Sequence, residues 1–291
     1  MKIKIIKLEG INTSLLDAFI NAALREDIKD GDHTSLACID PTAKDTAKLL
    51  CKAEGIIAGV GFAEYVFKKL DSQCSFNKIL DDGAQIKYGD IAFEVTTESQ
   101  TLLKGERLVL NTMQRLSGVS TMSHKFASIV SDLPVTILDT RKTTPLMRFL
   151  EKWAVRLGGS SNYRDGLYDW IMIKDNHVDA CGSITKAIQK VKTYLSEKKK
   201  DLGITVEVRN LEELNEVLEE GGITRIMLDN FELETLRRAV GIIDKRFQAE
   251  ASGGVNLDTV RAIAETGVDY ISVGALTHSA GSLDLSLKIK K

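Results

Sequence analysis

Four positively charged residues stand in the second half of the chain, close to the ends of short apolar runs. They are Arg141, Lys142, Arg164 and Lys174. Several cations at one place repel one another unless an anionic ligand neutralises them, and the arginine guanidinium pairs with carboxylate or phosphate through two hydrogen bonds. The sequence therefore predicts a site for a ligand with several negative charges.

Two carboxylates stand at the ends of later apolar runs. Glu207 lies in the run TVEVR and Asp229 ends the run RIMLD. Carboxylate oxygens bind Mg²⁺, which also binds the phosphates of a substrate. The alternative for both residues is an internal salt-bridge network with the neighbouring lysines. The residues alone leave both interpretations open.

Glycine-rich turns follow the last two apolar runs. The first is Ser252-Gly253-Gly254, and the second begins at Gly274 and includes His278. Such turns after the late strands of an α/β barrel present backbone N–H groups to a phosphate, although a simple tight turn is the alternative for each. Their position at the end of the chain predicts a phosphate site.

The elements that carry these residues alternate between short apolar runs and helical patterns from about Pro134 onward. We predict strands at 136–140, 170–175, 205–209, 225–229, 248–252 and 270–274, with a further candidate around 158–163. We predict helices at 145–157, 183–199, 210–220, 232–244 and 256–266. This alternation indicates parallel strands covered by helices. In a barrel all the polar strand ends meet on one face, and a doubly wound open sheet is the competing architecture.

The first half of the chain has a mixed pattern. An amphipathic helix is predicted at Leu15–Arg25 and a long helix from about Gln100 to Ser117, with strands at 47–53, 55–60 and 91–95. This pattern is typical of an α+β module built around a sheet.

Composition excludes several classes of function. The 291 residues carry a net charge of -2 with 6% aromatic residues, so nucleic-acid binding has no support. The four cysteines form no CxxC pair, which argues against zinc and disulfides and fits the cytoplasm. A membrane span is not predicted, because no stretch approaches about 18 uncharged apolar residues.

Several motifs resemble the quinolinate phosphoribosyltransferases, also called carboxylating nicotinate-nucleotide pyrophosphorylases. The motifs are DTRKTTP at 139–145, NYRDGL at 162–167, IKDNH at 173–177, LDN at 228–230 and EASGG at 250–254. The resemblance covers nearly the whole chain. It implies an N-terminal α/β sandwich domain at 1–119 and an incomplete, TIM-like α/β barrel at 120–291, with the C-terminal tail a candidate to pack back on the first domain.

The activity that the resemblance implies is phosphoribosyl transfer from phosphoribosyl pyrophosphate (PRPP) to quinolinate. The products are nicotinate mononucleotide, pyrophosphate and CO₂, in de novo NAD biosynthesis. The resemblance also implies Mg²⁺ and a homodimer, which can assemble further into a hexamer and in which Arg107 enters the partner's active site.

The match assigns roles to the other site residues. Quinolinate is expected to bind Arg141, Tyr163, Arg164 and Lys174, together with Arg107. Lys142, Glu207 and Asp229 are the expected catalytic residues, and the two carboxylates are the expected metal ligands. The PRPP phosphates are expected to contact Lys142, Ser252, Gly253, Gly254, Gly274 and His278.

Tyr163 departs from the pattern of the family. The family usually has three glycines followed shortly by Asn-His-Arg, whereas this chain reads GGSSNYR at 158–164. A phenol donates a hydrogen bond to a carboxylate but adds no positive charge near neutral pH. We therefore expect weaker acid binding or another preferred acid. A phosphoribosyltransferase with a different acceptor, similar to the molybdenum-transport-associated homologues, and a non-catalytic PRPP-binding paralogue are the alternatives.

Overall fold

The computed structural model describes residues 10–290, which divide into two compact units. The first unit comprises residues 10–124, 144–159 and 279–290, and the second comprises 125–143 and 160–278. No helix among the described residues is long and apolar enough to cross a membrane.

A four-stranded antiparallel sheet lies at the centre of the first unit. Its spatial order is β12 (Leu285–Ile289), β1 (Lys44–Cys51), β5 (Ile91–Glu98) and β3 (Ser75–Lys78). Alternate residues of β1 are buried, as expected where one face of a strand packs on a core. The last strand pairs with β1 from Ala47↔Ile289 to Cys51↔Leu285, so the end of the chain belongs to this sheet.

The remaining elements of the first unit are a two-stranded ladder and helices. The ladder joins β2 (Gly55–Ile56) to β4 (Gln85–Ile86). The helices are α1 (Thr13–Ile28), α2 (His33–Cys38), α3 (Val60–Leu70), α4 (Ser99–Ile129, whose last turn belongs to the second unit) and α5 (Arg148–Leu157). The predicted helices at 15–25 and 100–117 are confirmed, and both are longer than predicted.

The predicted strand at 55–60 is wrong beyond Ile56, because Val60 begins α3. The carboxylate of Asp82 accepts hydrogen bonds from the backbone N–H groups of Gly59, Val60 and Gly61, which fixes the start of this helix. Gly59 has a φ of 104°, a conformation open to glycine at little cost.

Six parallel strands form the sheet of the second unit. Their spatial order is β6 (Thr136–Leu138), β11 (Tyr270–Ser272), β10 (Gln248–Ser252), β9 (Arg225–Asp229), β8 (Ile204–Val208) and β7 (Ile171–Ile173). Each pair is parallel, and all five residues of β8 are buried, as expected for strands covered on both faces. The helices are α6 (Asp175–Cys181), α7 (Ile184–Lys198), α8 (Leu211–Glu220), α9 (Leu233–Ile243), α10 (Val260–Ala264) and α11 (Ala275–His278).

The seventh strand suspected around 158–163 is reduced to a single bridge beside β6. Ser161 donates its N–H to the carbonyl of Ile137 at 2.9 Å, and its own carbonyl accepts from the N–H of Asp139 at 3.0 Å. No strand among residues 10–290 joins this segment to β7, so the barrel stays open. The predicted incomplete barrel is confirmed. Because its strands are parallel, their carboxyl ends meet at one mouth.

Candidate active site

A cavity of about 890 Å³ lies at this mouth of the second unit. Every predicted site residue except Arg107 lines it: Arg141, Lys142, Tyr163, Arg164, Lys174, Glu207, Asp229, Ser252, Gly253, Gly254, Gly274 and His278. Arg107 lies exposed on α4 of the first unit. The volume is ample for a small ligand.

Three cations form what we call the cationic end of the cavity: Arg141, Arg164 and Lys174. Arg164 donates from Nη1 to the carbonyl of Trp170 at 3.2 Å, which anchors the guanidinium at the wall. Burial lowers the pKa of Arg164, and the nearby charge of Arg141 lowers it further. This mutual repulsion is relieved when an anion binds between the cations.

Lys174 forms an ion pair with Glu207, with its Nζ 2.5 Å from the carboxylate. The salt-bridge alternative considered for Glu207 is therefore present in the structure. Lys174 directly follows β7, and its backbone N–H donates to Nδ1 of His177 at 3.0 Å. His177 is exposed and does not line the cavity, so it holds the start of α6.

Asp229 has a hydrogen-bond donor at each carboxylate oxygen. Ser252 donates its hydroxyl to Oδ1 at 2.6 Å, and Asn230 donates its side-chain amide to Oδ2 at 2.7 Å. These contacts fix the orientation of a carboxylate at the end of β9.

The two carboxylates are the candidate ligands of Mg²⁺. The described residues hold no cluster of three or more His, Cys, Asp or Glu side chains suited to a metal ion. Glu207 and Asp229 come from neighbouring strands and line the same cavity. Mg²⁺ is usually held by one or two carboxylates, with substrate phosphates and waters completing its coordination. This donor set fits an ion that binds together with a phosphorylated substrate.

The opposite part of the cavity, the glycine end, consists of Ser252, Gly253, Gly254, Gly274 and His278. Gly253 has a φ of 90°, and a Cβ there would overlap the side chain of Asn230. Gly274 lies against two side chains, since a Cβ added to it would come 3.0 Å from the ring of His278 and 3.1 Å from Cδ of Lys142. Backbone groups can therefore approach a phosphate closely here.

Lys142 lies beside the glycine end. Its carbonyl accepts a hydrogen bond from the hydroxyl of Thr277 at 2.8 Å, which ties the loop after β6 to α11. The side chain is exposed and lines the cavity, so its ammonium is available to a ligand.

Tyr163 lines the cavity with its ring, and its hydroxyl lies 2.6 Å from Oγ1 of Thr205. Burial raises the pKa of this phenol strongly, and the negative charge of Glu250 raises it further. Tyr163 is therefore neutral at physiological pH.

Comparison with known protein families identifies both domains of the chain. Residues 32–117 match the N-terminal domain of quinolinate phosphoribosyl transferase, and residues 119–288 match its C-terminal domain. The chain belongs to the quinolinate phosphoribosyltransferase family. The resemblance stated from the sequence motifs is confirmed.

Relatives in this family are similar over most of their length. Quinolinate phosphoribosyltransferase [decarboxylating] 1b of Nicotiana tabacum is 43% identical over 289 residues, which cover 94% of this chain and 82% of the relative. The probable nicotinate-nucleotide pyrophosphorylase of Bacillus subtilis is 40% identical over 96% of this chain and 95% of its own. The solved structure of the nicotinate-nucleotide pyrophosphorylase of Francisella tularensis matches with a TM-score of 0.90 at 36% identity, covering 96% of this chain and 98% of that one.

The remaining lining residues were not predicted from the sequence. They are Thr140, Met172, Met227, Asn230, Val255, Ser272 and Ala275. Some of them could have been predicted from the periodicity of a strand, because residues two apart on a strand face the same side. Met172 is two residues before Lys174, and Met227 is two residues before Asp229.

Proposed function

We propose that this member of the quinolinate phosphoribosyltransferase family transfers the phosphoribosyl group of PRPP to quinolinate and releases CO₂. The products are nicotinate mononucleotide and pyrophosphate, in de novo NAD biosynthesis. One observation carries the proposal: a single cavity joins four cations, two carboxylates and a glycine end. The names of relatives at 40–43% identity support the same reaction.

The cationic end suits quinolinate, which carries two carboxylates on adjacent ring carbons. Arg141, Arg164 and Lys174 supply the positive charge, and the repulsion from Arg141 makes the ligand-free cavity a poor environment for Arg164. Holding both carboxylates fixes the ring and therefore the direction of the ring nitrogen. Orientation of this kind contributes much of the acceleration in a reaction between two bound substrates.

Lys142 is the residue that we assign to the leaving pyrophosphate. The C1–O bond of PRPP breaks and its electron pair leaves with pyrophosphate, while the lone pair of the pyridine nitrogen forms the new bond to C1. The ammonium of Lys142, beside Gly274, offsets the negative charge that develops on the leaving group. The resulting pyridinium withdraws electrons from the adjacent carbon, so the carboxylate there leaves as CO₂ and a proton replaces it.

Glu207 and Asp229 are the residues that would hold Mg²⁺, with Ser252 and Asn230 orienting Asp229. When bound, this ion supplies positive charge to the pyrophosphate. Glu207 is at the same time the ion-pair partner of Lys174.

The assembly that we propose is a cytoplasmic homodimer in which Arg107 enters the partner's active site. The exposure of Arg107 on α4 supports this role. Sedimentation of the purified protein distinguishes a dimer from a hexamer.

The cytoplasmic location is supported by two buried thiols, Cys51 and Cys74. Burial raises the pKa of each thiol to about 11, which suits a reducing compartment.

Complementation tests the shared site. Arg107→Ala and Lys142→Ala chains are each expected to be inactive, and their co-expression should restore about a quarter of wild-type activity, because half of the randomly formed dimers hold one intact site. The absence of any recovery would show that Arg107 acts within its own chain or not at all.

Turnover tests the reaction itself. Purified protein is incubated with quinolinate, PRPP and Mg²⁺, and nicotinate mononucleotide is followed by chromatography, with EDTA as the metal-free comparison. We expect product that disappears with EDTA. PRPP binding without product would contradict the proposed reaction and favour one of the alternatives, a different acceptor or a non-catalytic PRPP-binding paralogue, and product with another acid would distinguish these two. Absence of both product and PRPP binding would contradict all three.

A further inference from the structure

A chain of hydrogen bonds leads from the wall of the cavity into the interior of the barrel. The indole Nε1 of Trp170 donates to Oγ1 of Thr205 at 2.9 Å, and the same hydroxyl contacts that of Tyr163 at 2.6 Å. Thr205 is fully buried on β8 and does not line the cavity. It stands two residues before Glu207, one layer below the mouth.

A buried ion pair lies beside the ring of Tyr163, with the guanidinium of Arg225 4.9 Å from the ring centroid. Glu250 accepts from Nη1 of Arg225 at 3.0 Å and from the hydroxyl of Ser272 at 2.5 Å. Burial raises the pKa of Glu250, and the donated hydrogen bonds and the charge of Arg225 act against that rise. With two donors directed at it, Glu250 is the acceptor of this cluster.

The direction of each hydrogen bond follows from the donors available. An indole N–H only donates, so the oxygen of Thr205 accepts from Trp170. That oxygen has a second lone pair, and a phenol is the stronger acid of the two hydroxyls, so Tyr163 donates to it as well. The phenol has one proton to donate, and the interior of the barrel already takes it.

The ring of Tyr163 is held from its other side by aromatic and cationic neighbours. Trp170 packs edge-on at 6.2 Å between ring centroids, and the guanidinium of Arg225 lies 4.9 Å from the centroid of Tyr163. The next residue along the chain is Arg164, whose guanidinium belongs to the cationic end. Fixing the ring therefore also fixes the segment that carries Arg164.

We propose that Thr205 is a positioning residue of the acid site, which acts through Tyr163. It holds the phenol hydroxyl in the barrel interior, so that the phenol ring is an apolar wall against which the pyridine ring packs. The carboxylates of the acid are then bound by the cations, and no hydrogen bond comes from Tyr163. The inference rests on the proposed function for the identity of the acid.

Three variants test this coupling: Thr205→Val, Tyr163→Phe and the double variant. Each single change breaks the hydrogen bond between the two hydroxyls. Each should therefore raise the KM for quinolinate about three- to tenfold, the equivalent of one hydrogen bond. The double variant should rise no further than the larger single effect. The KM for PRPP should stay within about twofold, because the glycine end has no part in the chain. Thr205→Ser, which keeps the hydroxyl, should restore the wild-type value.

A direct hydrogen bond from Tyr163 to the acid predicts the opposite pattern. In that case Tyr163→Phe alone would raise the KM for quinolinate, and Thr205→Val would leave it unchanged. Either this result or two effects that multiply in the double variant would overturn the proposal.

The indole signals give a readout that is independent of activity. Among the described residues the tryptophans are Trp153 and Trp170, and only Trp170 donates to Thr205. In nitrogen-15 spectra of ligand-free protein, Thr205→Val should shift one indole N–H signal upfield, and Thr205→Ser should not. An unmoved signal would contradict the hydrogen-bond chain whatever the acceptor is. Absence of quinolinate turnover by the wild-type enzyme would instead contradict the proposed function.

Discussion

The two ends of the cavity recognise anions by different means. At the cationic end the binding groups are side chains, and Arg141 lowers the pKa of Arg164 by repulsion. At the glycine end the backbone itself faces the cavity, with Gly253 and Gly254 at φ values of 90° and 61°. Substitution of one side chain at the cationic end can therefore change which acid binds. At the glycine end, a substitution changes phosphate binding only by straining the backbone.

The largest effect is expected where the two ends meet, at Lys142. Lys142→Ala removes the ammonium that faces the leaving group, and kcat should fall about a hundred- to thousandfold. Steady-state kinetics measure this, with Lys198→Ala on the exposed end of α7 as the matched control. A fall confined to the KM for PRPP would show that Lys142 binds the ground state and takes no part in catalysis.

At the cationic end, Arg164→Ala should raise the KM for quinolinate about ten- to hundredfold, as for a lost charge-assisted pair. The KM for PRPP should change little, because the residue lies away from the glycine end. Titration calorimetry with each substrate measures the effect on quinolinate binding and on PRPP binding separately. If Arg164→Ala weakened the binding of both substrates equally, the two ends of the cavity would not bind different substrates.

At the glycine end, Gly253→Ala should raise the KM for PRPP about tenfold, through the cost of a positive φ and the clash with Asn230. Gly241→Ala is the matched control, because Gly241 lies in α9 with open space around it and alanine favours a helix. If Gly253→Ala weakened quinolinate more than PRPP, the assignment of this end to phosphate would be wrong.

The smallest expected effect is a gain in affinity for quinolinate. Tyr163→His should lower the KM for quinolinate a few-fold at about pH 6, because the positive charge that a protonated imidazole adds at the cationic end outweighs the lost hydrogen bond to Thr205. An imidazole has a pKa of about 6.5, so the gain should be present at about pH 6 and lost as the pH rises to about 8. KM measured across this range tests the prediction, and a pH-independent value would show that this side chain does not reach the acid.

Strand ends explain why most of the site could be predicted. β9 and β10 occupy the predicted residues 225–229 and 248–252, with the site residues Asp229 and Ser252 as the last residue of each strand. A parallel barrel then brings these ends together without further information.

Contacts between distant segments explain what could not be predicted. Thr205 is a polar residue inside an apolar run, and its partners Tyr163 and Trp170 meet it only in the folded barrel. The start of α3 likewise depends on Asp82, more than twenty residues away, whereas the local sequence GIIAGV is typical of a strand.

In the proposed reaction one cavity performs both transfer and decarboxylation. Quinolinate labelled with carbon-13 in the carboxylate next to the ring nitrogen tests this most directly, with labelled CO₂ and nicotinate mononucleotide measured in the same reaction. We expect equal amounts of both products, formed only in the presence of PRPP. Labelled CO₂ without PRPP, or consumption of quinolinate with the label retained in the product, would contradict it.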